Sequence, residues 1–198
     1  MKVRRLNLLL LFALLAFAVP AAAQEAGQGL DPMMQEYMEK YATPGEHHKH
    51  LEMLAGKWST TSQFWPAPGA PVVESTGSAE HKMILGGRYL QTTYEGEFGG
   101  MPFAGTGVVA YDRYKQNYVE TWVDTMGTMV LVSEGGCEAE GKTRKMQAEF
   151  DDPMTQRRVT MRSVYRIEDA NHYTLEMYHP APDGQEYKAF EIVHTRVQ

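Results

Sequence analysis

Apolar and polar residues alternate with a period of two through most of the chain after residue 56. The clearest case is residues 157–168, where Val159, Met161 and Tyr165 alternate with arginines and other polar residues. Such alternation is typical of a strand with one dry face and one wet face. The pattern predicts strands at residues 57–65, 72–84, 89–98, 103–112, 118–125, 128–134, 143–150, 157–168, 172–178 and 185–197.

Short turn sequences separate these strands, and none is long enough to carry a crossover helix. They are Gly86-Gly87, Gly99-Gly100, Gly135-Gly136, Glu168-Asp169-Ala170-Asn171 and Pro182-Asp183-Gly184. We therefore predict a mainly β fold, an antiparallel up-and-down β-barrel of about eight to ten strands preceded by one or two helices. A two-sheet sandwich is the alternative architecture.

Helical signals occur only before the first predicted strand. Asp31 is placed to cap a short first helix. Thr43 as N-cap and Glu46 three residues later have the spacing of a capping box, which predicts a second helix over residues 44–55. Gly56 fits the residue that ends it. We expect this helix to close one end of the barrel.

The first 23 residues have the pattern of a secretory signal peptide. Lys2, Arg4 and Arg5 precede an apolar run over residues 6–19 and then the small residues 21–23. The run is too short for a comfortable membrane span, so we expect cleavage near Ala23, no stable span afterwards, and a periplasmic or secreted protein. The domains predicted are a signal peptide at 1–23, an N-terminal extension with a short helix at 24–43, and one barrel domain at 44–198.

The charge and cysteine content exclude some function classes. Removing residues 1–23 takes away three of the 19 basic residues and none of the 25 acidic ones, so the formal charge moves from −6 to −9. Nucleic acid is therefore not an expected partner. Cys137 is the only cysteine, so no internal disulfide can form. Its acidic neighbours Glu138 and Glu140 disfavour a thiolate, and we expect no catalytic or redox role for it.

A longer set of residues resembles a known family. The set consists of His50-x-x-x-Leu54-x-Gly56-x-Trp58, the segment 83–90 (Met-Ile-Leu-Gly-Gly-Arg-Tyr-Leu), Gly96, Pro102-Phe103-x-Gly105-x-Gly107, Tyr111-Asp112 and Trp122-x-Asp124-x-Met126-Gly127-Thr128. The Gly-x-Trp opening is similar to that of lipocalins and other calycins, and the whole set resembles the bacterial family called domain of unknown function 1579. The resemblance implies a calycin-like barrel and no established activity.

Several aromatic, apolar and charged residues of the predicted strands are candidates for lining a ligand cavity. These candidates are Trp58, Arg88, Tyr94, Phe103, Tyr111, Trp122, Asp124 and Met126. Arg88 can hold an anionic group inside the barrel or form a structural ion pair with Asp112 or Asp124. The row from Tyr118 to Met126 that includes Glu120 fits either a partly polar cavity wall or a solvent-exposed face.

The glycines of the fourth predicted strand need a separate explanation. Gly105 and Gly107 share a face with Phe103 and remove side chains where a bulky neighbour such as Trp58 or Trp122 can lie. Glycine within a strand is typical of a bend, a bulge or close packing. We predict a barrel corner here, and a gap left for ligand is the alternative.

Histidines raise the question of a metal or haem. His47 and His50 can share a helix face and bind zinc or copper, but they lack the His-Glu-x-x-His spacing and a third ligand of known position. Nitrobindin-like barrels hold haem through a late histidine, as His194 would, yet their Gly-x-Trp-x-Gly opening is absent because Ser59 and Thr60 follow Trp58. We therefore expect no cofactor and no metal, with His47 and His50 as weak metal candidates.

Three function classes remain, and the first is preferred. A binding module would hold a small apolar or amphipathic molecule in the barrel cavity, with Arg88 or Asp124 orienting its polar end. A structural or interaction protein of the cell envelope would have a filled barrel. An enzyme is the third class, and we find no Gly-x-Ser-x-Gly elbow or other catalytic motif in the sequence to support it.

Overall fold

A computed structural model describes residues 31–138, 140–153 and 155–198, so the predicted signal peptide lies outside the described residues. Ten antiparallel strands form one closed up-and-down barrel, which confirms the predicted fold class and excludes the sandwich. The strands are β1 (Gly56–Phe64), β2 (Val73–Ile84), β3 (Tyr89–Phe98), β4 (Met101–Asp112), β5 (Asn117–Asp124), β6 (Leu131–Glu138), β7 (Thr143–Asp152), β8 (Arg157–Ile167), β9 (His172–Pro180) and β10 (Glu186–Arg196).

Each strand pairs with its neighbours in the chain, and β1 pairs with β10 to close the barrel. The closing ladder runs from Trp58 opposite Arg196 to Phe64 opposite Phe190. A β-bulge interrupts the β9–β10 ladder between Lys188 and Phe190. Closure leaves no strand of the barrel without a partner on either side.

Contacts between strands that are not neighbours show which face is inside. Tyr165 of β8 donates a hydrogen bond to Glu120 of β5, and His81 of β2 bonds to Tyr173 of β9. Three strand-to-strand steps separate the members of each pair around the barrel wall, so both contacts cross the interior. Because side chains alternate between the two faces, the rest of the inward-facing set follows from the register.

In the described part of the chain, two short helices precede the barrel. The helix α1 spans Pro32–Tyr37 and continues into a π-helical turn at Met38–Ala42, and α2 spans Glu46–Glu52. The Asp31 side chain accepts a hydrogen bond from the Met33 amide, which confirms the predicted cap. No helix among the described residues is both long enough and apolar enough to cross a membrane.

The predicted cap of α2 is wrong. Gly45, and not Thr43, is the N-cap residue. Its amide donates to Nδ1 of His48, so a histidine three residues on does what Glu46 was expected to do for Thr43. The Thr43 hydroxyl instead donates back to the carbonyl of Met38 and so helps to end the preceding turn.

The predicted turn at Gly135-Gly136 is also wrong. Both glycines lie inside β6, where Gly135 pairs with Tyr118 on one side and Met146 on the other. The connection to β7 falls instead between Glu138 and Thr143. The strand therefore begins and ends later than its predicted range, and Cys137 moves from a turn to an inward-facing strand position.

The helix α2 and the residues after it to Ala55 form a lid over one end of the barrel. Leu51 and Leu54 are buried against Trp58, whose Nε1 donates to the carbonyl of Leu54 at 2.9 Å. The guanidinium of Arg196 lies 4.1 Å from the centroid of the Trp58 ring and donates to the carbonyls of Met53 and Ala55. The last strand thus holds the end of the lid.

Candidate functional site

The interior differs between the lid end and the opposite end. Inward-facing residues near the lid, such as Trp58, Leu90 and Tyr118, are at most 2 % exposed. Inward-facing residues toward the opposite end are only half-buried: Ser62, Phe64, Ser75, Phe98, Phe103, Trp122, Leu131, Met161, Met177 and Phe190. A side chain that faces the inside of a closed barrel is exposed only where solvent enters, so this half is open. We call these ten residues the open half.

Aromatic side chains make the open half strongly apolar. Phe64 stacks on Phe190 with ring centroids 4.5 Å apart, and Phe98 lies 5.1 Å from Phe64. Phe103 and Tyr94 continue the group, with their centroids 5.7 Å apart. Such rings present a large apolar surface with preferred edge and offset contacts.

The wall on the β4–β5 side is shaped by one tryptophan. A Cβ on Gly105 would lie 2.3 Å from Cζ2 of Trp122, and a Cβ on Gly107 would lie 2.9 Å from Cε3 of the same ring. The indole Nε1 donates to Oδ2 of Asp124 at 2.9 Å, which fixes the ring. The two glycines therefore make room for Trp122, one of the two neighbours expected from the sequence.

Below the aromatic group lies a polar set made of Glu120, Tyr165 and Arg144. The Tyr165 hydroxyl donates to the Glu120 carboxylate, with its oxygen 2.7 and 2.8 Å from the two carboxylate oxygens. The Arg144 guanidinium lies 4.0 Å from the centroid of the Tyr165 ring and is 7 % exposed. Burial and the adjacent Glu120 charge raise the pKa of Tyr165, so the phenol stays protonated and the carboxylate keeps its donor.

A second buried polar set joins β2, β9 and β10. The ring of His81 bonds through Nδ1 to Thr92 at 2.8 Å and through Nε2 to the hydroxyl of Tyr173 at 2.7 Å. His194 stacks on Tyr173 at 3.9 Å, and its Nδ1 donates to the carbonyl of Ile192. Burial lowers the pKa of His81 to about 4 and that of His194 to about 3, so both rings are neutral at pH 7.

The surroundings of His194 do not fit an axial haem ligand. The ring is 5 % exposed, Tyr173 stacks on it, and the ring of His81 lies 6.3 Å away. A haem plane next to this histidine would have to replace Tyr173 and the hydrogen bond that Tyr173 makes with His81. We therefore do not propose a haem site at His194.

A third group lies under the lid and brings together residues that are far apart in sequence. His47 Nδ1 lies 3.6 Å from Sγ of Cys137 and 3.2 Å from the hydroxyl of Tyr118. The ring of His50 lies 5.5 Å from that of His47, and the ring of Tyr111 stacks on His47 at 3.9 Å. Burial, followed by the charge of His50, lowers the pKa of His47, and burial raises the pKa of Tyr118 above its usual value.

The residues predicted to form one site are divided between the two ends of the barrel. Phe103, Trp122 and Asp124 lie in or beside the open half, with Tyr94 next to them deeper inside. Met126 is exposed on the loop after β5. The other three predicted residues lie at the lid end: Trp58, Arg88 and Tyr111.

Arg88 therefore lies away from the open half. Its Nη1 donates to the carbonyl of Leu85 in the β2–β3 turn at 3.0 Å. Burial, followed by the charges of Arg113, His47 and Arg88, lowers the pKa of His48 in the lid. Asp124 bonds to Trp122 and to the amide of Met126. Neither predicted ion pair, with Asp112 or with Asp124, is present among the described salt bridges.

Sequence reasoning missed Cys137 and Tyr165 as site residues. Cys137 shares an inward-facing row with Ser133 and Gly135, and this row would have been visible had β6 been extended past Gly136. Tyr165 was placed on the dry face of its strand, yet a single sequence holds no signal that pairs it with Glu120, 45 residues earlier.

Comparison with protein families gives one match over most of the chain. Residues 43–196 match the family described as "Protein of unknown function (DUF1579)". The chain belongs to this family. The comparison with curated proteins finds no match. This DUF1579 protein therefore has a family and a fold, and its relatives supply no activity for it.

Three solved structures are similar to this chain. Rv2717c from M. tuberculosis is 16 % identical with a TM-score of 0.60, and the match covers 79 % of this chain and 100 % of that one. The redesigned β-barrel b11L5F_LGL is 12 % identical with a TM-score of 0.41, over 75 % and 96 % of the two chains. The redesigned barrel mFAP0 bound to DFHBI is 13 % identical with a TM-score of 0.36, over 73 % and 99 %. At this identity the first of these shows the fold alone.

Proposed function

We propose that this DUF1579 protein is exported, loses its signal peptide near Ala23, and binds a small, largely apolar molecule with one polar end in the open half of the barrel. One observation carries the proposal: inward-facing aromatic and methionine side chains are half-exposed at this end, whereas those near the lid are sealed. Apolar concave surfaces with a few placed polar groups are typical of small-molecule sites.

The same observation argues against a filled structural barrel. Packed interiors leave few voids and bury their apolar side chains almost completely. Phe64, Phe98 and Phe190 form a contacting group in which each ring stays partly exposed. A ligand that covers them would gain about 25 cal/mol for each Å² of apolar surface removed from water.

Polar groups at the bottom of the open half define the polar end of the ligand. Glu120 is half-buried and accepts hydrogen bonds from Tyr165, and a carboxylate has further lone pairs to accept more. We propose that Glu120, rather than Arg88 or Asp124, orients the polar end of the ligand. A hydroxyl or amino group on the ligand would suit it, because both donate hydrogen bonds to a carboxylate.

Exposed apolar side chains also surround the mouth of the open half. Met101 begins β4, and Met126, Met129 and Val130 belong to the loop between β5 and β6. Exposed apolar groups of this kind beside a cavity are typical of a site that receives an apolar partner. They favour a hydrophobic or amphipathic ligand over a small polar metabolite.

Two adjacent positions of β2 test the location of the site. Ser75 faces inward beside Ser62, with the two hydroxyl oxygens 2.7 Å apart, whereas Thr76 is exposed on the outer face. We expect Ser75→Phe to fill the open half and weaken binding of a fluorescent apolar probe by at least about tenfold, equal to about 1.4 kcal/mol. Thr76→Phe is the matched control and should leave probe binding unchanged.

Three results would overturn the proposal: no binding of the probe by the parent protein, equal effects of the two variants, or native mass spectra of periplasmic material without a bound small molecule. Unfolding curves of both variants check that each is folded. Competition between a long-chain amine and the carboxylic acid of equal length tests the polar end, and we expect the amine to displace more probe. Cell fractionation tests export.

A further inference from the structure

The group under the lid contains three side chains that commonly bind metals. Ligand atoms of His47, His50 and Cys137 all lie within 4.8 Å of one another. Two come from successive turns of α2, and the third comes from β6 on the barrel wall. The lid and the barrel would therefore have to dock correctly before the set is complete.

The distances suit a small tetrahedral ion. With zinc bonds of about 2.0–2.1 Å to nitrogen and about 2.3 Å to sulfur, ligand atoms lie about 3.3–3.8 Å apart. The separation of 3.6 Å between His47 Nδ1 and Cys137 Sγ falls in that range. The Tyr118 hydroxyl, 3.2 Å from the same nitrogen, lies where a fourth ligand or its hydrogen-bond partner would be.

A second observation points to the same place. Nδ1 of His50 is buried and has no hydrogen-bond partner among the described residues, although buried polar atoms are nearly always paired. His50, Tyr118 and Cys137 line a small cavity of about 10 Å³, about the least that can hold one bound water. Coordination through Nδ1 would give this nitrogen its missing partner.

The position of the His50 ring is fixed by the turn after β6. Gly141 has a φ of +88°, and a Cβ there would lie 2.4–2.7 Å from three atoms of the imidazole. Only glycine leaves room for the ring at this point. The same turn joins the strand of Cys137 to β7, so it holds two of the three ligands in relation to each other.

Access and charge are compatible with a bound cation. A cleft of about 410 Å³, lined by residues that include Glu46, His47 and Tyr111, reaches one of the three side chains, His47. Arg144 lies opposite Cys137 in the β6–β7 ladder. A thiolate and the neighbouring Glu46 would in turn offset the charge of a divalent ion.

We propose that His47, His50 and Cys137 form a Zn²⁺ site, completed by the Tyr118 hydroxyl or a water. Two imidazoles and one thiolate are the nitrogen and sulfur donors that this ion prefers. Three protein ligands leave the fourth position open, as in sites that do more than hold the fold together. The site lies at the lid end and does not depend on ligand binding in the open half.

The test uses the untagged protein stripped with a chelator and reloaded with Zn²⁺ or with Co²⁺ as a spectroscopic probe. We expect one ion per chain, the visible bands of tetrahedral Co²⁺, and a near-ultraviolet band from sulfur-to-cobalt charge transfer. Cys137 is the only cysteine, so the charge-transfer band assigns it even if a Cys137→Ser variant fails to fold.

A histidine variant and its control complete the test. His50→Ala should weaken Zn²⁺ binding by more than about 100-fold, because loss of an outer-shell partner alone costs up to that much. His172→Ala removes an exposed histidine that bonds to Asp169 and should leave Zn²⁺ binding unchanged. Binding without the charge-transfer band, equal effects of the two variants, or binding of Cu⁺ with none of Zn²⁺ would overturn the proposal.

Discussion

Two consecutive glycines of β6 meet opposite surroundings. A Cβ on Gly135 would lie 1.9 Å from the carbonyl oxygen of Lys145, a backbone atom that cannot move without breaking the ladder. No atom of the described residues lies within 4 Å of a Cβ on Gly136. The first glycine is therefore required by close packing of the chain, and the second is not.

We expect Gly135→Ala to lower the free energy of unfolding by about 3 kcal/mol, because the added methyl group forces neighbouring backbone apart. Gly136→Ala is the matched control and should change it by no more than about 0.5 kcal/mol. Urea unfolding of the two variants provides the measurement. A similar loss of stability in both would contradict this account of Gly135.

These glycines also explain why the turn predicted at Gly135-Gly136 is wrong. A Gly-Gly pair indicates a turn when only local conformation is considered. Here the demand comes from Lys145 on the next strand, and a single sequence does not report how closely another strand approaches. The error shortened β6 and removed Cys137 from the predicted interior, which is why His47 and His50 lacked a third ligand.

At the scale of elements, the strands were predicted well because period-two alternation is a local property of the chain. The helix α2 was less predictable. Its cap depends on the His48 side chain turning back to the Gly45 amide, and Arg113 holds the carbonyl of Thr43 from 70 residues away. The Gly-x-Trp signal did find the junction of lid and barrel. A Cβ on Gly56 would lie 2.4 Å from Nη1 of Arg196, so the glycine gives this arginine its place.

We expect the side chain of Arg196 to decide whether the lid stays closed. Its guanidinium donates to the carbonyls of Met53, Ala55 and Ala170 through three different nitrogens, and the single nitrogen of a lysine cannot reach all three carbonyls. We expect Arg196→Lys to cost about 1–3 kcal/mol of stability. Hydrogen exchange of the amides in α2 should become faster in this variant.

The control for the lid is Arg166→Lys. Arg166 is exposed on β8, where its guanidinium makes a single 3.3 Å contact with Glu176. Exposed pairs of this kind contribute little, so neither stability nor exchange of α2 should change measurably. Unchanged exchange in Arg196→Lys would show that the lid is held by Leu51 and Leu54 alone.

For the molecule as a whole, the buried histidines couple stability to pH. His81 and His194 stay neutral when folded because burial lowers their pKa values, to about 4 and about 3. The charges of Arg144 and Arg196 lower the pKa of His81 further, and His81 lowers that of His194 because the two rings disfavour each other's protonation. In the unfolded chain they titrate near 6.5. Below that pH the unfolded chain takes up protons that the folded barrel does not, so stability is lost as pH falls.

We expect the free energy of unfolding to fall between pH 6.5 and pH 4, by about 1.4 kcal/mol per pH unit for each of the two histidines. His194→Gln should flatten this dependence, because glutamine does not titrate. His172→Gln, an exposed histidine, is the control. Urea unfolding at a series of pH values makes the measurement, and identical slopes in all three proteins would refute the assignment.

The pairing of β1 with β10 has a consequence for folding during synthesis. The ladder that joins Trp58 to Arg196 needs the last of the ten strands, so until β10 has been made the chain holds nine strands with two unpaired edges. A chain that still lacks β10 cannot form the finished barrel. Export of the protein, as we propose it, can therefore begin before the barrel closes.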